Sequence, residues 1–199
     1  KTLVLGFSKG AKQIRAATGK DFDAVAFAGW RDRLAESLAG VGVDLEGQTI
    51  DEVLSASSKN IGSASLVRCG LSLKKPNGNM VSSGSIMPDA VKAELPLSAM
   101  RKCIATHLDP LPDSVESVIL LGTTDGYMIG VKSLMKERFS DYKEINSVAF
   151  YAQGRMWVFA SHPSSRNGHH GNWVRGEHSN ASGRKKLLAL SARKAALNS

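Results

Sequence analysis

The apolar positions of the chain fall into two patterns, short runs and repeats spaced three or four residues apart. Runs at 2–6 (Thr-Leu-Val-Leu-Gly), 64–71, 117–121, 147–152 and 156–160 predict strands. Helical spacing links Trp30, Leu34, Leu38 and Val41, and Gly40 and Gly42 supply its stop. It returns at Leu97, Met100, Ile104 and Leu108, and again from Met128 to Phe139. A helix start at Ala11–Ala17, a short helix capped by Asp51 through Val53 and Leu54, and a basic helix from Arg184 to about Leu197 complete the set. Residues 72–96, with Lys-Lys-Pro-Asn-Gly-Asn and Ser-Ser-Gly-Ser, read as loop. Gln153-Gly154-Arg155 reads as a tight turn between two strands.

Strands and helices therefore alternate over most of the length. That order predicts a three-layer α/β/α fold with a central, mostly parallel sheet of four to five strands. At 199 residues, with no internal repeat and no long linker, one domain spanning 1–199 is expected. In such a sheet ligands bind outside the carboxyl ends of the strands. Three turns fall there: 6–10, 122–127 and 162–170.

Charge narrows the partner. The chain holds 26 Lys and Arg against 18 Asp and Glu, a net charge of +8. Seven basic residues (Arg166, Arg175, Arg184, Lys185, Lys186, Arg193, Lys194) and one acid, Glu177, lie between His162 and Ser199. Six of the eight net charges thus sit beside one His-rich loop, as expected of a chain that displaces counterions from a polyanion. No apolar run reaches the ~20 residues that cross a bilayer and no signal peptide is visible, so a cytoplasmic protein is expected, nucleoid-associated if bacterial. The two cysteines, Cys69 and Cys103, cannot make a four-cysteine cluster. His169, His170 and His178 match no usual zinc spacing, so they read as the polar surface of a DNA-facing loop. No cofactor, no metal cluster and no membrane partner are expected.

The most specific segment is Ala160-Ser161-His162-Pro163-Ser164-Ser165-Arg166-Asn167, which follows a strand. It resembles motif B of the uracil-DNA glycosylase superfamily, a His-Pro-Ser triplet at the end of the last sheet strand. The form His-Pro-Ser-x-Arg-Asn, with Gly171-Asn172-Trp173 downstream, looks closest to the single-strand-selective monofunctional uracil glycosylases. Gly6-Phe7-Ser8-Lys9-Gly10 occupies the place of motif A and keeps both of its glycines. Phe27-Ala28-Gly29-Trp30 with Leu34 and Leu38, and Val118-Ile-Leu-Leu-Gly122, are similar to further stretches of the iron–sulfur uracil glycosylases. Three departures stand out. Ser8 replaces the Asp or Asn that several families use on water, Lys9 replaces the motif A proline, and Ala64-Ser65-Leu66-Val67-Arg68-Cys69 lacks the Asn that reads a pyrimidine edge.

The resemblance implies a monofunctional DNA glycosylase that flips and excises uracil or a related deaminated or oxidised base from single- or double-stranded DNA. Cleaving the N-glycosidic bond leaves negative charge on the departing base, and an imidazole donor aimed at a base carbonyl stabilises it by roughly 3–4 kcal/mol. His162 is the expected donor, with Ser8 and Asp125 as the other catalytic candidates. Asp21 and Asp23 are further acids in reach of the first turn. Gly6, Phe7, Gly10, Phe22, Ser65 and Arg68 are the expected base-binding residues, with Phe22 or Phe7 as stacking face ahead of Phe27 and Tyr127. Lys9, Ser164, Arg166 and Asn167 are the expected DNA contacts, Ser164 on a phosphate and the Arg-Asn pair in the minor groove or the gap left by the flipped nucleotide. The altered motif A leaves a second reading open, a catalytically weak glycosylase-like DNA-binding protein.

Overall fold

The computed structural model describes residues 1–8, 23, 25–82 and 84–197. Among the described residues, eight strands form two sheets. The main sheet contains β1 (Thr2–Ser8), β2 (Ile61–Val67), β5 (Ser117–Leu121), β6 (Lys143–Asn146), β7 (Ala149–Ala152) and β8 (Arg155–Ala160), in the order β2-β1-β5-β8-β7-β6. The first three pairings of that order, through β8, are parallel, and β7 and β6 extend the sheet antiparallel. Its centre is dry: Val118 to Leu121 and Val158 to Ala160 are at most 1% exposed, which is why these stretches read as unbroken apolar runs.

Among the described residues, seven α-helices flank the sheet. One group comprises α1 (Arg31–Gly40), α2 (Ile50–Val53), α6 (His170–Arg175) and α7 (Ala181–Leu197). The other comprises α3 (Met87–Ala90), α4 (Glu94–His107) and α5 (Asp125–Arg138). This is the expected three-layer architecture, with six strands in place of four to five. The extra strand is β6, Lys-Glu-Ile-Asn, an edge strand whose one apolar residue, Ile145, is itself exposed. A strand without a buried face leaves no alternation to read.

Local chemistry explains the remaining differences. Residues 72–96 contain a small hairpin, β3 (Leu73–Lys74) against β4 (Met80–Val81), closed by Gly78 at φ +81°. Thr49, not Asp51, caps α2: its hydroxyl accepts the Glu52 N–H while the Glu52 carboxylate accepts the Thr49 N–H, a capping box. Asn180 starts α7 three residues earlier than Arg184 by accepting the Gly183 N–H (2.7 Å). Gly183 is required there, because a Cβ would stand 2.1 Å from the Glu177 carbonyl oxygen. Between β7 and β8 the turn is two residues, Gln153 and Gly154, both at positive φ, and Arg155 already pairs in β8.

Chain order sets where a ligand can bind. From β1 the chain steps outward to β2 and then returns to β5 on the other side of β1. The switch point therefore lies between β1 and β5, at the carboxyl edge that also carries the end of β8.

Candidate active site

Four strand ends line this edge. Gly6 stands opposite Ser65 and Ser8 opposite Val67 across β1 and β2, and Leu121 stands opposite Ala160 across β5 and β8. His162 lies two residues beyond β8. Two strand spacings, about 10 Å, separate the end of β1 from that of β8.

His162 is half-buried, and its surroundings fix its chemistry. The backbone N–H of Ser164 donates to Nδ1 (3.1 Å), and the ring meets Trp30 edge-to-face with centroids 5.9 Å apart at 69°. Burial and, secondarily, the neighbouring charge of His170 push the imidazole down to about 4. At neutral pH the ring is therefore uncharged. With Nδ1 accepting, its one proton sits on Nε2.

The loop that carries the ring is held from within. Asn167 Nδ2 donates to the His162 carbonyl (2.8 Å) and to the Ser161 hydroxyl (3.0 Å), while its Oδ1 accepts the His169 N–H (3.1 Å). Ser161 is 1% exposed, and its hydroxyl lies 3.1 Å from His170 Nδ1. His170 Nε2 meets the Glu36 carboxylate at 2.8 Å, and Arg33, one turn earlier on α1, donates to the Asn167 carbonyl (3.3 Å). His170 is thus 3% exposed and turned inward, which corrects its reading as part of a DNA-facing surface. His169 and His178 are exposed.

Other nominated residues are placed as follows. The Ser8 hydroxyl is buried without a hydrogen-bond partner among the described residues. Phe7 is 4% exposed and packs edge-on against Tyr127 (5.9 Å, 86°), so its ring serves the core. Tyr127 is 1% exposed and lies where a Cβ on Gly122 would be, 2.7 Å from its ring; burial pushes its phenol upward. Phe27 is buried as well. Ser65 is half-buried in β2 and Arg68 is exposed just beyond it. Asp125 is exposed at the first turn of α5, where Lys185 of α7 binds its carboxylate and the Thr123 carbonyl, both at 2.7 Å. Asp23 accepts the Ala56 N–H (2.6 Å) and lines a cavity of about 770 Å³ with Arg31, Asp51 and Glu52 beside the amino end of β2. Lys9, Gly10, Asp21 and Phe22 lie outside the described residues.

Basic residues of the last fifth are partly committed inside the fold. Lys186 binds the Val174 carbonyl at the end of α6 (2.7 Å), Arg193 the Gly42 carbonyl beyond α1, and Arg184 the His178 carbonyl (2.9 Å). Arg175 pairs with Glu177 (3.1 Å). Of the seven, Arg166 and Lys194 are exposed and make no side-chain hydrogen bond or ion pair among the described residues.

Sequence reasoning quotes Trp30 and Ser161 within its motifs without giving either a role, and it misses Glu36 and the inward role of His170. For His170 the signal was its place beside His169, which is exposed as expected while His170 is not. Among the described residues, no three His, Cys, Asp or Glu gather as a metal site, Cys69 and Cys103 are free thiols, and no helix is long and apolar enough to cross a membrane. The chain matches no protein-family model, no curated protein and no solved structure.

Proposed function

We propose that the chain is a monofunctional DNA glycosylase that flips a uracil, or a related deaminated or oxidised base, from DNA and hydrolyses its N-glycosidic bond. One observation carries this reading: His162 is a neutral imidazole with Nδ1 occupied by a backbone N–H, so Nε2–H remains to donate. A neutral donor suits a leaving group that departs as an anion, because it stabilises the developing charge without having to surrender its proton. The C1′–N electron pair goes to the base, the oxygen of water bonds to C1′, the proton that this water loses ends on the departed base, and an abasic site remains. Burial and the prior placement of the ring by Ser164 mean that little reorganisation accompanies the reaction. Ser8, two strand spacings away, has a buried hydroxyl with no hydrogen-bond partner among the described residues and is the candidate to orient the attacking water. Arg166, exposed and unpaired on the same loop, is the residue to enter the minor groove or the vacated stack.

The test is base excision from single- and double-stranded oligonucleotides carrying uracil, hypoxanthine, xanthine or 5-hydroxymethyluracil, with alkali to cleave abasic sites. Scission at one or more lesions is expected. No scission at any lesion, with DNA still bound, removes the enzyme reading and leaves a glycosylase-like DNA-binding protein.

A further inference from the structure

Two points of α1 converge on the His162 loop. Trp30, immediately before the helix, touches the imidazole ring itself. Glu36, in its second turn, reaches the loop from below through His170. Between Glu36 and His162 runs an unbroken chain of hydrogen bonds. Glu36 Oε2 meets His170 Nε2 at 2.8 Å, His170 Nδ1 meets the Ser161 hydroxyl at 3.1 Å, and that hydroxyl accepts from Asn167 Nδ2 at 3.0 Å. The same Nδ2 reaches the His162 carbonyl at 2.8 Å. Ser161 and His170 are buried, so breaking any link leaves a polar group without water to replace its partner.

Direction along the chain is set at its outer end. A carboxylate only accepts, so His170 Nε2 carries a proton and donates to Glu36. His170 Nδ1 is then oriented toward Ser161, whose oxygen accepts from Asn167. Asn167 thereby has its amide nitrogen aimed at Ser161 and the His162 carbonyl, and its oxygen at the His169 N–H. A flip of that amide would break all three contacts. The backbone geometry that presents the Ser164 N–H to His162 Nδ1 depends on this clamp, because the Asn167 N–H also bonds the Ser164 carbonyl (2.9 Å).

We propose that Glu36 and His170 are positioning residues that act through Ser161 and Asn167 to hold His162 as the Nε2–H tautomer, directed for donation. The assignment rests on the glycosylase reading for its purpose but not for its test. The expected chemistry is that of a carboxylate–imidazole pair that orients a second imidazole through the backbone, with neither group touching the substrate.

The experiment reads the His162 ring nitrogens by 15N NMR at pH 7.5 in the wild type, Glu36→Ala, Glu36→Gln and His170→Phe, with excision kinetics on the same samples. In the wild type, Nδ1 is expected bare and Nε2 protonated. Glu36→Ala and His170→Phe should move the two shifts toward a tautomer average, and Glu36→Gln, whose amide oxygen still accepts, should restore them. On a substrate that is cleaved, Glu36→Ala should lower kcat roughly tenfold while KM for DNA stays within about twofold. Glu36 is half-exposed, so its replacement does not threaten the fold as that of buried His170 can. Unchanged His162 nitrogens in Glu36→Ala overturn the proposal, whether or not any base is excised. If the shifts move as described while the wild type excises nothing, the positioning role stands and the glycosylase reading falls.

Discussion

The turn after β8 and the turn after β5 lie side by side, Ala160 opposite Leu121, yet they treat their titratable residues in contrary ways. His162 is half-buried, bonded by a backbone N–H, gripped by an aromatic ring and held neutral at ordinary pH. Asp125 stands in water, 77% exposed, with a Lys185 ammonium on its carboxylate. Both turns follow central strands at the edge where parallel sheets bind ligands, so position alone nominates the two equally. Burial separates them. Electrostatic stabilisation of a transition state needs groups fixed in advance and shielded from solvent, and only the β8 turn supplies that. An exposed pair such as Lys185–Asp125 is screened and contributes little to either stability or catalysis.

The largest effect that would break this contrast belongs to His162→Ala. Removing one well-placed donor to a leaving group costs roughly 3 kcal/mol, so excision in single turnover should fall about a hundredfold or more. DNA affinity should change little by comparison, since phosphate contacts dominate it. Wild-type rates in this variant would remove the β8 turn from the chemistry.

Next in size is Asn167→Ala. It deletes two donated bonds and one accepted bond inside the loop, takes the Asn167 partner from the His162 carbonyl and the His169 N–H, and leaves the Ser161 hydroxyl with His170. Loss of about 1–3 kcal/mol is expected in urea unfolding, with an accompanying drop in excision. The sequence motif puts Asn167 on the DNA; a variant that keeps full stability while losing DNA binding would favour that contact over the clamp.

This residue also illustrates what was legible beforehand. Apolar runs identified β1, β5 and β8 because both faces of each are covered, and Gly and Pro marked their turns. β6 escaped because an edge strand need not bury a face, and α6 escaped because its six residues carry only His170 and Trp173 as buried positions. At the site, His162 could be picked out because a specific pattern surrounds it. Glu36 and Trp30 could not, since they reach the loop from 134 residues away for the Glu36–His170 pair and from a helix whose polar face looks ordinary. The basic tail misled in part: counting charges says nothing of Lys186 and Arg193 being bound to helix-end carbonyls.

The pH response sharpens the comparison further. His162 titrates near 4 in the fold against about 6.5 when unfolded, so between those values the unfolded chain binds the extra proton. Stability from this group is therefore full above pH 6.5 and declines as pH falls toward 4, by up to about 3 kcal/mol in all. Excision should stay level from neutral pH down to about 5 and alter only as the ring itself protonates. Histidine-specific NMR titration checks the value; a midpoint for His162 near 6.5 would show that the ring is not shielded as described.

The smallest effect is expected from Asp125→Asn. The carboxamide still accepts from Lys185, and Lys185 keeps its bond to the Thr123 carbonyl, so the tie between α7 and the β5 turn survives. Losing one exposed charge pair changes stability by less than about 1 kcal/mol, and excision by no more than about threefold. A drop comparable to that of His162→Ala would mean that the acid acts directly on the sugar or the attacking water despite its exposure. DNA would then supply to Asp125 the shielding that the fold itself gives His162.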